Sequence, residues 1–271
     1  MAFLIDGIRG VNLAGLYLLV KDVTLAREYW SHALRLYDEL VGRGLQCADP
    51  VEYVYARGWA TRSGSERVIM PAVLRTAGGT RLEELLVLAT VARVLRPARV
   101  FEIGTFMGRT TSAFVLNVPS DSDVLTLDLP SDASSCERPR ADYIDTDVTL
   151  MTERRVGSFL DELGLQGSVT QLMGDSLQFD PTPYRGTVEL GFVDGAHARP
   201  YVENDTLKMA AMMADRGLVF WHDYGGKGRF RGLTEYLDGL ARKIPLYRVT
   251  NTTLAWAAAS DLRRLENLKA G

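Results

Sequence analysis

The sequence predicts an α/β fold, a mostly parallel, seven-stranded sheet with helices on both faces and an antiparallel hairpin at its end. Three observations carry that prediction. From Val100 onward short apolar runs alternate with stretches of helical spacing, the pattern of a parallel sheet covered on both sides. The last two runs, 246–250 and 253–258, lie too close together for a crossover, so they must turn back as a hairpin. The ends of five successive runs carry acids: Glu102, Asp128, Asp175, Asp194 and Asp223. In open α/β sheets, ligands bind beyond those ends.

Taken in order, residues 11–20 (VNLAGLYLLV) form the first apolar run. It is too short to span a bilayer, and Asp6 stands where a signal peptide would carry positive charge. The run is expected to be buried or to face another subunit. Residues 24–42 place Trp30, Ala33, Leu34, Tyr37, Leu40 and Val41 on one helical face, with His32 off it. Residues 1–79 are therefore expected to form a helical, lid and oligomerisation segment, with a homodimer as the expected assembly. Tyr53, Tyr55 and Trp59 fit either a pocket wall or the core.

Residues 80–271 are read as the main domain. Thr80–Glu83 has the spacing of a capping box and opens a helix to about Leu95, with Pro97 ending it. Strands are expected at 100–104, 124–129, 169–174, 188–194 and 217–223. Helices fall at 112–117, 148–163, 200–213 and 231–242 between them.

Composition narrows the partners. Of 271 residues, 31 are Lys or Arg and 34 Asp or Glu, for a net charge of −3 and no long basic run. That disfavours nucleic acid and anionic membrane as partners. Two cysteines, Cys47 and Cys136, fit a reduced cytoplasmic protein without a disulfide framework.

The central motif is Glu102-Ile-Gly104-Thr105-Phe106-Met-Gly108-Arg-Thr110, a strand, a glycine turn and a helix start. Glycine allows the backbone to turn sharply there and to approach a ligand. The helix N-terminus attracts polar or anionic groups. Glu102 would repel a pyrophosphate but would accept an ammonium. This spacing, E-x-G-x-x-x-G, resembles motif I of the class I, Rossmann-like S-adenosylmethionine-dependent methyltransferases, in the small-molecule O-methyltransferase branch.

Asp194-Gly-Ala-His197 and His222-Asp223-Tyr224 strengthen the resemblance, which covers roughly residues 80–258. They are similar to the D-G-x-H and H-D-Y strings of a subgroup related to macrolide-sugar and catechol-type O-methyltransferases. The resemblance implies S-adenosylmethionine as cofactor, held by Glu102, Gly104, Thr105, Phe106, Gly108, Thr110, Asp128, Asp175 and Ser176. It implies a divalent metal, magnesium or manganese, at Asp194 and Asp223. His222 stands where the macrolide group has a second aspartate; it reads either as the third ligand or as a structural residue against the sheet. Imidazole suits manganese better than magnesium. His197 falls where the catechol group has its lysine base; it reads either as that base, acting with Asp194, or as a hydrogen-bonded turn residue.

The expected function is methyl transfer to a hydroxyl of a small molecule, such as a natural-product sugar or phenol. Two rivals remain at this point. One is a nicotinamide-dependent oxidoreductase, disfavoured because no G-x-G-x-x-G is present. The other is a non-catalytic homologue that binds the cofactor and regulates.

Overall fold

A computed structural model describes residues 45–62, 66–71, 79–130, 155–225 and 230–265. The run at 11–20, the helix read at 24–42, residues 148–154, Cys136 and the glycine loop at 226–229 lie outside them.

The chain order is β1 (Gln46–Cys47), α1 (Pro50–Ala56), α2 (Leu82–Leu95), β2 (Arg99–Ile103), α3 (Arg109–Val115) and β3 (Asp123–Asp128). Then come α4 (Ser158–Glu162), β4 (Thr170–Met173), β5 (Val188–Val193), α5 (Arg199–Met212) and β6 (Met213–Trp221). The described part ends with α6 (Arg231–Leu240), β7 (Tyr247–Arg248), β8 (Ala255–Ala258) and α7 (Ala259–Leu262). The strands make one sheet in the order β1-β7-β8-β6-β5-β2-β3-β4. Every pairing is parallel except the two made by β8, with β6 and with β7.

The α/β class and the closing antiparallel strands agree with the sequence. Among the described residues the strand count is eight, because two-residue β1 adds to the far side of β7. A two-residue strand leaves no periodicity to read. β6 also begins earlier than its apolar run, directly after α5, with an irregularity opposite Val188 and Leu190.

The central strands are apolar on both faces because helices cover both. Phe101, Ile103, Val193 and Trp221 pack with Val202, Met209 and Leu237 on one side. Val100, Phe192, Phe220 and Trp256 pack with Leu88, Val91 and Leu95 of α2 on the other. α1 joins that second layer through buried Val54. Tyr53 meets the Trp256 ring edge-on at 5.2 Å and the Trp59 ring at 5.8 Å. Tyr53, Tyr55 and Trp59 thus pack with the core.

Two features position the site. From β2 the chain steps outward to β3 and β4, then returns to the other side of β2 as β5. That reversal opens the crevice at which such sheets bind ligands. The ladders also continue past the strands: Asp194 N–H donates to Ile103 O at 2.8 Å, Gly104 N–H to Leu127 O at 2.8 Å, and His222 N–H to Val193 O at 3.1 Å. The residues that follow β2, β5 and β6 are therefore held side by side. Among the described residues no helix is long and apolar enough to cross a membrane.

Candidate active site

The crevice is built around the glycine turn after β2. Gly104 has φ +100°, and a Cβ there would lie 2.1 Å from the carbonyl oxygen of Asp194. The turn therefore abuts the end of β5 and brings the glycine motif against the first acid of the second cluster. Gly108, at φ +86°, caps α3, and its Cβ would press on Leu160 of α4. Phe106 adopts φ +50°, unusual for a side chain of its size. Asp128 supports that conformation: its Oδ2 accepts from Phe106 N–H at 2.7 Å and its Oδ1 from Leu129 N–H at 2.7 Å.

Glu102 is fully buried on β2. Its Oε2 accepts from the Thr111 hydroxyl and from the Thr126 hydroxyl at 2.7 Å. Thr105 bonds Thr126 at 2.7 Å, and Gln171 donates to Thr105 at 2.9 Å. Oε1 has no partner among the described residues. Burial pushes the Glu102 carboxyl up to about 8, although the two threonines oppose the shift. Thr110 bonds the Thr80 hydroxyl at 2.7 Å, and Arg109 donates to Thr80 O at 2.7 Å, tying the residues before α2 to α3.

Beyond β4, Asp175 accepts from Leu177 N–H at 2.9 Å and closes a turn. Asn204 and Lys208 of α5 hold that turn through Ser176 O, at 3.0 and 2.6 Å. Beside them lies buried Asp205, raised by its burial to about 6.

The second cluster lies beyond β5 and β6. Donor atoms of Asp194, His197 and Asp223 all fall within 4.8 Å of one another. His197 Nε2 donates to Asp223 Oδ2 at 3.0 Å, and its ring stacks on Phe230 with centroids 4.0 Å apart. Asp194 and Asp223 keep 20% and 23% side-chain exposure, so a ligand can still reach them. Burial raises Asp194. Burial acts the same way on Asp223, but the adjacent histidines outweigh it and hold that carboxyl well below its usual range.

His222 lies beside this set and joins it to Glu84. Its Nδ1 donates to Asp194 Oδ1 at 3.1 Å and its Nε2 to Glu84 Oε2 at 3.0 Å. Burial alone would lower its pKa, yet Asp194 and Asp223 raise it well above the ordinary 6.5. Both ring nitrogens of His222 are thus engaged by carboxylates. Among the described residues Asp194, His197 and Asp223 could hold a metal ion together; His222, the third ligand read from the sequence, bonds Asp194 and Glu84 beside them. Tyr224 turns away: its hydroxyl donates to Asp238 at 2.7 Å and accepts from Leu45 N–H at 3.1 Å.

The sequence reading missed Glu84 and Phe230. The capping box sits one residue later than read, with Glu84 accepting from Arg81 N–H at 3.0 Å. The available signal was a glutamate inside the otherwise apolar face of Leu82–Leu95, a position usually left to Leu or Ala.

Residues 101–224 match a sequence family described as "Methyltransferase domain". No curated protein matches the chain. Among solved structures, it is similar to the SAH-bound Podospora anserina methyltransferase PaMTH1, at 14% identity and a TM-score of 0.48, covering 83% of this chain and 93% of that one. Cofactor-bound Rv0187 from MTB is similar at 16% identity and 0.48, with 84% and 96% covered. A Geobacter sulfurreducens methyltransferase gives 17% and 0.43, with 82% and 93% covered. At such values the functional reading rests on the matched domain and on the chemistry of the site.

Proposed function

The chain carries a methyltransferase domain over residues 101–224, and from that premise we propose that it moves a methyl group from S-adenosylmethionine to a hydroxyl of a small molecule. The observation that carries the hydroxyl reading is the His197–Asp223 pair at 3.0 Å, next to an acid that abuts the glycine turn. The domain match displaces the nicotinamide reading.

S-adenosylmethionine, when bound, supplies an electrophilic methyl on a sulfonium. Glu102, with Oε1 unpartnered, is suited to the cofactor's ammonium. Asp128, the last residue of β3, carries a carboxylate suited to accepting ribose hydroxyls. Asp175 and Ser176 border the same crevice beyond β4, on the side suited to adenine. His197 takes the acceptor's proton at Nδ1 while Nε2–H stays on Asp223, which orients the ring and stabilises the imidazolium that forms. Phe230, stacked on that ring, gives an apolar wall for the acceptor.

A divalent ion fits the same residues. Two carboxylates and one imidazole suit manganese better than magnesium. Bound at Asp194, His197 and Asp223, such an ion would lower the pKa of the acceptor hydroxyl, and His197 would then be a ligand instead of the base. The likeness of the D-G-x-H and H-D-Y strings favours a sugar or phenolic acceptor.

One experiment separates these roles. His197→Ala should lower turnover roughly 10²–10⁴-fold with cofactor binding retained. Chelation should abolish turnover only if the ion is required, and manganese should then restore it. Should Asp194→Asn, His197→Ala and Asp223→Asn each fold and turn over near the parent rate, the proposed acceptor site is wrong.

A further inference from the structure

We infer that Glu84 and His222 are positioning residues that hold the Asp194 carboxylate in its working orientation. The inference rests on the acceptor-site reading above and names a device within that site.

The connection is continuous and almost dry. Glu84, on the first turn of α2, is 1% exposed, and His222, after β6, is 6% exposed. Glu84 Oε1 accepts from Thr253 N–H and from the Thr253 hydroxyl, each at 2.8 Å. Its Oε2 accepts from Arg81 N–H at 3.0 Å and from His222 Nε2 at 3.0 Å. Four donors from three separate parts of the chain therefore fix one carboxylate. Glu84 in turn fixes the plane of the imidazole, whose other nitrogen holds Asp194 Oδ1 at 3.1 Å.

A helix-capping glutamate needs only the Arg81 N–H bond, and it can make that bond at the surface. Burying the charge is costly unless it is paired and fully hydrogen-bonded. Here every bond beyond the cap points toward β6, toward the turn before β8, and through His222 to Asp194. With Oδ1 taken by His222, the Asp194 carboxyl cannot rotate freely, and Oδ2 is left to meet the acceptor or its ion. The same ring nitrogen, Nδ1, also sits 3.4 Å from Asp223 Oδ2, so His222 touches both aspartates of the cluster.

A double-mutant cycle on turnover tests this. In the otherwise native chain, Glu84→Gln should lower kcat about 10-fold or more, with S-adenosylmethionine affinity and acceptor KM changed less than about 3-fold. In an Asp194→Asn background the same change should cost less than about 2-fold, because the group it positions is gone. Restoring the carboxylate with Glu84→Asp should recover part of the rate. An equal fold-loss in both backgrounds would make Glu84 a purely structural residue and overturn the inference. If Glu84→Gln does not fold, Thr253→Val, which deletes one of the four donors, takes its place in the cycle with the same criteria. Full turnover by Asp194→Asn alone would instead reject the acceptor-site reading, a distinguishable outcome.

Discussion

Glu102 holds its carboxyl between two threonine hydroxyls in the middle of the sheet, and its protonation sets a pH dependence. In the folded protein it keeps its proton up to about pH 8, against an ordinary 4.5. Between those values the unfolded chain has released the proton and the folded one has not. Stability contributed by this group is therefore lost as pH rises from about 4.5 to 8, by a few kcal/mol at most. Urea unfolding of the cofactor-free protein should show the parent losing stability relative to Glu102→Gln across that window; a constant difference would refute the assignment. Asp128 makes a second prediction. Asp128→Ala should weaken S-adenosylmethionine binding by about 1–3 kcal/mol in calorimetry, through ribose contacts and a loosened Phe106 turn. Unchanged affinity in the folded variant would reject this strand end as a cofactor contact. Glu102 and Asp128 could be singled out from sequence because each stands at the end of an apolar run. Glu84 offered only its place on an apolar helix face, because its partners Thr253 and His222 lie 169 and 138 residues away.

The elements were legible in proportion to their length. β2, β3 and β5, each with at least four consecutive buried residues, read directly as fully covered strands. β1, of two residues, exists only through its neighbour β7. The partners of His222 were hidden from the sequence for a related reason. A position after a strand says that a side chain stands near the crevice, and the buried glutamate on α2 decides which way it points. Packing between strand ends supplies a third prediction. Gly104→Ala would drive a Cβ into the Asp194 carbonyl at a φ that alanine disfavours. It should cost roughly 3 kcal/mol or more, read as a lowered thermal midpoint, and weaken cofactor binding. A variant with parent stability would mean that the two strand ends are not in contact.

For the whole molecule, we propose a homodimer formed through residues 1–79. The apolar run at 11–20 and the stripe at 24–42 motivate it. Light scattering at micromolar concentration should give about twice the 30.0 kDa chain mass, and a value of 30.0 kDa would reject the dimer. α1 already shows how chain before residue 60 docks on the domain, through Val54 in the core and through Trp256 Nε1 donating to Ala48 O at 3.0 Å.

That bond between Trp256 and Ala48 joins residues 208 positions apart, and β8, the last of the described strands in chain order, goes between β6 and β7. A chain still emerging from the ribosome cannot complete this sheet. Until residues 255–258 are released, the apolar edge of β6 has no partner on that side, and the tyrosines and tryptophan near α1 have no Trp256 to pack against. Such long-range closure slows folding and exposes an aggregation-prone edge. A nascent chain stalled before β8 is the form of this protein most in need of a chaperone.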